Sequence, residues 1–240
     1  MINTIKNSLY NSLFKPSFLG IFINVFYLDR TEIYKSIKRL SKHVKGRVLD
    51  VGCSNKPYED LFTVESYIGL EIDSVTNRLN KKADFFYDGN SFPFKQESFD
   101  TILTSQVLEH VFNPDKFLNN INRVLVNGGV LIISVPFMGD EHEKPYDYGR
   151  YTSFGLKHLL EKHGFEVIEQ YKTTVGFGAI IQLTVSYFYK YTISLPVILR
   201  WGIQIILCIL FNPLGIVLGI ILPKNEDFFL GNTVYAKKRV

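Results

Sequence analysis

Cysteine is scarce: Cys53 and Cys208 are the only two in 240 residues. A disulfide framework is not implied, and a reducing compartment is the natural setting. An excess of one charge is also missing. Lys and Arg number 27 against 23 Asp and Glu, a net charge of +4, and the basic residues are scattered apart from the terminal AKKRV. A nucleic-acid protein would carry a basic stripe or a recognisable binding motif. No Asn-Pro-Pro-Tyr-type base-flipping motif is present either, so nucleic acid is not expected as a partner. The mild excess suits weak attraction to an anionic membrane surface. There is no internal repeat. The stretch MINTIKNSLYNSLFKPSFLG lacks the layout of a secretory signal. No spacing of His, Cys and carboxylates fits a metal site, so no metal is expected. His43, His158 and His163 read as surface residues.

What is present is apolar material, 46% of residues against 21% charged. That supports a sizeable core and excludes disorder. Residues 1–45 read as an N-terminal helical segment. Within it, FLGIFINVFYLDR suits an amphipathic or surface-seeking helix, and RTEIYKSIKRLSKHV puts Ile33, Ile37 and Leu40 on one face. From residue 46 the pattern alternates. RVLDV, SYIGLEID, ADFFYDG, FDTILTS, GGVLIISVP, FEVIEQYKT and FLGNTVYAKKR are strand candidates. Helices are expected from Pro114 to Val124 and over TSFGLKHLLEKHG, which stops at Gly164. Alternation of this kind predicts an α/β fold, a mostly parallel seven-stranded sheet with helices on both faces. A core at 46–174 and a final strand at 229–240 flank an apolar helical insert at 175–228.

The stretch GRVLDVGCSNKPYEDLF, residues 46–62, ends its strand in an acid followed by small and turn-forming residues. In parallel sheets ligands bind outside the carboxyl ends of the strands. Small residues there let backbone N–H groups approach a ligand at a helix start. The turn reads Asp50-x-Gly52-x-Ser54 and not Gly-x-Gly-x-x-Gly, so the dinucleotide fingerprint is missing. An acid would repel a phosphate, but it suits a ligand with an ammonium or sulfonium end.

Here the chain resembles the class I S-adenosylmethionine-dependent methyltransferases of the type 11-like group. VLDVGCSNKP resembles their first motif, with Ser54 replacing the usual second glycine. YIGLEID, DGNSFPFKQESFDTI, FDTILTSQVLEHV and INRVLVNGGVLIISVP resemble the following motifs in order and spacing. The resemblance implies a Rossmann-like fold over about residues 46–172 plus the last strand, with S-adenosyl-L-methionine as cofactor. It implies Asp50, Gly52, Cys53 and Ser54 around the amino-acid tail, and Glu71, with Asp73 as the fallback, on the ribose. It implies Asp88 and Gly89 near the adenine, with Ser105 at the pocket.

The stretch PFMGDEHEKPYDYGRYT resembles a subgroup loop through Pro145, Asp147, Tyr148, Arg150, Tyr151 and Thr152. His142 is the first choice of general base, because an imidazole titrates near neutrality; His110 is the second. Asp147, Arg150 and Tyr151 are candidates for acceptor binding, with an internal Arg150–Asp147 brace as the rival for that pair. The run LPVILRWGIQIILCILFNPLGIVLGIILP, Leu195 to Pro223, is almost uncharged. About 20 apolar residues can cross a bilayer. A mid-run Asn212-Pro213 instead suggests a bent pair of short helices dipping into one leaflet. The expectation is a peripheral or monotopic methyltransferase on the cytoplasmic side of a membrane, or a cytoplasmic one if the insert is a soluble lid. The subgroup resemblance points to surface-glycan synthesis and hence to a lipid-linked sugar acceptor. An isoprenoid quinone, another lipid or a small molecule is the runner-up. A membrane-anchored cofactor-binding module without turnover is the rival class.

Overall fold

The computed structural model describes residues 14–240. Its strands are β1 (Arg47–Val51), β2 (Ser66–Ile72), β3 (Phe85–Tyr87), β4 (Phe99–Ser105), β5 (Leu125–Pro136), β6 (Phe165–Val175) and β7 (Phe229–Lys238). They form one sheet in the order β3-β2-β1-β4-β5-β7-β6. β1 pairs in parallel with β2 and β4, β2 with β3, and β4 with β5. The last strand reverses. Gly176 N–H donates to Phe228 C=O and Arg239 N–H to Gly164 C=O, which joins the end of β6 to the start of β7 and the start of β6 to its end. Strand order reverses between β1 and β4, the position at which sheets of this kind bind ligands beyond the carboxyl ends of their strands.

The strand sequences explain their place. Val48, Leu49 and Val51 of β1 and Leu131, Ile132 and Ile133 of β5 are fully buried, as expected of strands covered on both faces. The helices of the described residues are α1 (Phe18–Ile23), α2 (Tyr27–Leu40), α3 (Val75–Asn80), α4 (Pro114–Val124), α5 (Ser153–Lys162), α6 (Phe177–Thr192) and α7 (Val197–Ile221). Local chemistry sets the α4 boundary. Asn113 accepts the Lys116 N–H at 3.0 Å, proline takes the first helical position, and Phe117, Leu118, Ile121 and Val124 face the core. Thr152 caps α5 in the same way, accepting from Gly155 N–H at 3.0 Å. β5 begins at Leu125, earlier than the glycine pair suggested, and its register shifts between Phe99 and Thr101 of the partner strand.

The chain divides into two compact units. One holds Ser36–Phe137, Glu141–Tyr171 and Asn232–Val240, with a core in which Leu49, Leu70, Ile102, Leu118, Leu131 and Phe165 are inaccessible to solvent. The other holds the described residues up to Lys35, with Met138–Asp140 and Lys172–Gly231.

In this second unit the apolar run corrects an expectation. It is one 25-residue helix, α7, and not a bent pair. Asn212, expected to interrupt it, is fully buried, and its Nδ2 donates to Ile21 C=O at 2.8 Å and Asn24 C=O at 3.0 Å. The polar side chain thus caps the end of α1 from within α7. Pro213 removes only one intrahelical bond, and apolar packing on both sides of it carries the helix through. Gly215 is needed where α7 passes Leu28 of α2: a Cβ there would lie 2.5 Å from Leu28 Cδ1. Gln182 of α6 donates to Val25 C=O at 2.8 Å. Thr174 Oγ1 donates to Asp29 Oδ1 at 3.0 Å, and burial pushes the Asp29 carboxyl up to about 6. The outward face of α7 is apolar and open: Ile198 is 90% exposed and Ile220 77%, with Trp201 and Leu210 also exposed.

Candidate active site

Three strand ends build the site. At the end of β1, Gly52 has φ of 72°, and a Cβ on it would lie 2.2 Å from Val107 Cγ2, on the turn that follows β4. Glycine is therefore required for conformation and for close approach. Ser54 also sits in the left-handed region, at φ 47°. This is the geometry for which a glycine would be the cheaper residue, and the serine adopts it nonetheless.

The first acid, Asp50, is 3% exposed. Its Oδ2 accepts from Tyr67 Oη at 2.7 Å. Burial pushes its carboxyl up to about 7, the Tyr67 hydrogen bond opposes this, and nearby Glu71 adds to it. Glu71, at the end of β2, is also buried, and its Oε2 accepts from Ser54 N–H at 3.0 Å. The structure thus brings Asp50, Gly52, Ser54 and Glu71 together, with two carboxylates on adjacent strands around one turn. The Cys53 thiol turns away into the core, where a Cβ on Gly69 would meet its Sγ at 2.6 Å, and burial pushes its pKa up. Cys53 can face a ligand only through its backbone.

The fallback acid Asp73 lies outside this cluster. It is exposed and bound to Arg78 Nε at 2.6 Å, which holds its carboxyl below the usual range. Asp88 is exposed and accepts the N–H groups of Asn90 at 2.8 Å and Ser91 at 3.2 Å, which lower its pKa, and Gly89 follows at φ 79°. Lys56 lies in the glycine turn and is bonded on the side of β2 and Asp84. Its Nζ ties the turn to Asp84 at 2.6 Å and to Tyr67 C=O at 3.3 Å.

At the end of β4 the buried oxygens Thr104 Oγ1, Ser105 Oγ and both carboxylate oxygens of Glu109 have no hydrogen-bond partner. Orphaned buried polar atoms are uncommon, and these are grouped along one strand end. Glu109 is fully buried, and burial pushes its carboxyl up to about 8. His110 Nδ1–H donates to Tyr146 C=O at 2.7 Å, and its Nε2 lies 3.8 Å from Glu109 Oε1. The loop after β5 closes over this turn, as Tyr148 N–H and Gly149 N–H both donate to Glu109 C=O, at 2.7 and 3.2 Å.

Within that loop the structure decides between a brace and an open pair. Arg150 grips Asp147 with both terminal nitrogens, at 2.5 and 2.7 Å, and the Asp147 side chain is 4% exposed. The guanidinium holds the Asp147 carboxyl down at about 2. Asp147 also accepts the His142 N–H at 2.9 Å, and its Oδ2 lies 3.4 Å from His142 Nδ1. Both oxygens of Asp147 are engaged in bracing the loop, the arrangement expected as the rival to acceptor binding. Tyr151 packs its ring against the sheet core, and its N–H donates to Pro136 C=O at 3.1 Å. The His110 and His142 rings meet edge to face with centroids 4.8 Å apart. Donor atoms of Glu109, His110 and His142 lie within 4.8 Å of one another. No spacing in the sequence announced that cluster, because His142 arrives from a different loop. Tyr67 was missed as well, since its contact with Asp50 depends on β1–β2 register.

Residues 27–170 match the family described as a methyltransferase domain. An uncharacterised protein of Methanocaldococcus jannaschii is 34% identical over 160 residues, covering 64% of this chain and 77% of that one. A probable S-adenosylmethionine-dependent methyltransferase of Mycolicibacterium smegmatis is 30% identical over 174 residues, covering 66% of each. Among solved structures, the Haemonchus contortus phosphoethanolamine N-methyltransferase 2 in complex with S-adenosyl-L-methionine has a TM-score of 0.56 at 16% identity, covering 92% of this chain and 56% of that one. The [4+2]-cyclase SpnF has a TM-score of 0.55 at 17% identity, covering 87% of this chain and 80% of that one. At such identities the structural likenesses carry the fold alone.

Proposed function

This chain belongs to the class I S-adenosylmethionine-dependent methyltransferases, and we propose that it methylates a lipid or lipid-linked acceptor at a membrane surface. Its cofactor is S-adenosylmethionine. When bound, that cofactor supplies an electrophilic methyl group on a sulfonium. The residues at the strand ends fit it. Asp50 stands where an ammonium end would repay its burial, and the Gly52–Ser54 backbone lines the same turn. Glu71 carries a buried carboxylate suited to ribose hydroxyls. Asp88 and Gly89 supply the adenine edge, and Ser105 Oγ is an unpartnered group at the pocket rim. The buried acid pair Asp50–Glu71 around a glycine turn is the observation that carries this assignment.

The chain's own part is to orient, to exclude water and to handle one proton. An oxygen acceptor needs a base, worth about 10²–10⁴-fold where used. His110 and His142 are the groups for that role, since each is held by a neighbour at one ring nitrogen, His110 by Tyr146 C=O and His142 by Asp147. Asp147 and Arg150 position His142 through the loop and do not themselves grip the acceptor.

Membrane association rests on α7. At 25 residues it is roughly 37 Å long, apolar enough throughout to cross a bilayer, and mostly exposed. Isoleucines left this open to water are costly, and contiguous exposed apolar faces mark membrane or protein contacts. Lys190 of α6 pairs with Asp140 at 2.5 Å, a charged contact that disfavours α6 as a lipid-crossing partner. The reading is therefore monotopic, with α7 in the interface, on the reducing, cytoplasmic side. An apolar cleft of about 380 Å³ lined by Met138, Ile180, Leu183, Tyr187 and Phe228 offers room for an acyl or isoprenoid tail.

Calorimetric titration of detergent-purified protein with S-adenosylmethionine tests the assignment. Asp50→Ala and Glu71→Ala should each weaken binding tenfold or more, at about 1.4 kcal/mol per tenfold. Unchanged affinity in both variants would refute it.

A further inference from the structure

We propose that Glu109, His110 and His142 form a binding site for one divalent transition-metal ion, with Zn²⁺ favoured by the donor set and at least one coordination position left to an acceptor oxygen. This deepens the methyltransferase reading and rests on it for the acceptor, though not for the metal.

The argument starts from Glu109. A carboxylate with no solvent access and no hydrogen bond to either oxygen is among the most costly things a fold can hold. Yet the chain positions it with care: two loop N–H groups hold its backbone carbonyl. A cation repays such a carboxylate where neighbouring side chains complete the ligand set. Two imidazoles do so, with donor atoms of all three residues inside 4.8 Å of one another. In a zinc site the metal–nitrogen distance is about 2.0–2.1 Å, so tetrahedral donors stand about 3.4 Å apart. Small side-chain rotations close the difference.

The surroundings match what metal-bound histidines need. Each ligating imidazole ordinarily has its other nitrogen held by a carbonyl or carboxylate, which sets tautomer and orientation. His110 Nδ1–H is held by Tyr146 C=O at 2.7 Å, which leaves Nε2 as the donor, on the side of Glu109. His142 Nδ1 lies 3.4 Å from Asp147 Oδ2, and Arg150 locks that carboxylate in place. The Arg150–Asp147 brace thereby acquires a purpose beyond loop stability. Glu143 Oε2, on an exposed side chain 3.9 Å from His110 Nε2, is a candidate fourth ligand. Two imidazoles and a carboxylate select borderline ions such as Zn²⁺, Co²⁺ or Ni²⁺ over Mg²⁺ and Ca²⁺, which prefer all-oxygen sets. Such an ion would lower the pKa of a coordinated acceptor hydroxyl. With both imidazoles held as ligands, the proton of that hydroxyl would pass to solvent water, and no imidazole would be needed as the base.

The test uses full-length, untagged protein in detergent, stripped with a chelator and titrated with Co²⁺ by visible absorption. S-adenosylmethionine affinity is measured on the same samples. One saturable equivalent with ligand-field bands, displaced by Zn²⁺, is expected. His142→Ala should weaken Co²⁺ binding tenfold or more while leaving cofactor affinity unchanged. Glu109→Gln should do the same. If burial makes that variant fail to fold, as loss of cofactor binding would reveal, His142→Ala and His110→Ala decide the matter. No saturable band, or equal Co²⁺ affinity in wild type and the histidine variants, would overturn the proposal and leave Glu109 as a neutral buried acid. A failure of the methyltransferase reading would show instead as absent cofactor binding with the Co²⁺ signal intact.

Discussion

Asp50 holds the central tension of the site at the scale of a single residue. Its carboxyl rises from 3.8 to about 7 through burial, so the folded state favours the protonated form. Such a group contributes stability below the unfolded pKa and loses it as pH rises through the folded one. Asp50→Asn should therefore be more stable than wild type at pH 8, by about 2–4 kcal/mol. The gap should close toward pH 4 in urea melts, and an equal offset at both pH values would contradict this. Cofactor affinity should show the complementary trend. An ammonium partner needs the ionised carboxylate, so binding tightens between pH 5.5 and 7.5 in the wild type and stays flat in Asp50→Asn. Ser54 offers a second check. Left-handed backbone costs a side chain about 1–2 kcal/mol, so Ser54→Gly should raise stability by up to about 1 kcal/mol with cofactor binding retained, whereas Gly52→Ala should lose both because of Val107. The acids and small residues of this turn were legible in the sequence because each obeys a local rule. Tyr67 and Glu109 were not: one depends on strand register, and a glutamate beside a histidine after a strand ordinarily reads as solvated.

At the scale of elements, two segments behave differently from their composition. The loop after β5 looked like an acceptor-binding surface because it resembles a subgroup loop and leaves the carboxyl end of a strand. Much of that chemistry is directed inward, to hold His142 and to cap Glu109. In α7, Asn212-Pro213 looked like a break, and local propensity does argue for one. A tertiary contact won, because Asn212 donates to the Ile21 carbonyl and to the Asn24 carbonyl, the latter shared with the Tyr27 N–H. Asn212→Ala should therefore destabilise the protein by about 1–3 kcal/mol, the cost of losing a donor to the buried Ile21 carbonyl, readable as a lower melting temperature. An exposed substitution on the same helix should do the opposite. Ile198→Glu with Ile220→Glu should leave the melting temperature within a degree or two of wild type. It should sharply reduce flotation with anionic phosphatidylglycerol–phosphatidylethanolamine vesicles. Undiminished flotation would sink the interfacial role of α7.

At the scale of the whole molecule, the alternation of strand and helix announced the sheet, because continuous apolar strands and capped helices are short-range signals. Strand order and the antiparallel β7 follow from long-range pairing and could be expected only through the family resemblance. Grouping the N-terminal helices with the apolar insert is likewise invisible in chain order, since it depends on contacts such as Asn212 to Asn24 and Gly215 to Leu28. Enzyme, cofactor and fold are thus anchored in the sheet, and the acceptor is argued from the insert. The most direct measurement joins the two. Detergent-purified protein would be incubated with methyl-labelled S-adenosylmethionine and membranes of the native cell, and the products partitioned between organic solvent and water. The account predicts label in the organic phase, lost with Asp50→Ala and with His110→Ala/His142→Ala. Label confined to water-soluble products would contradict the membrane-surface acceptor.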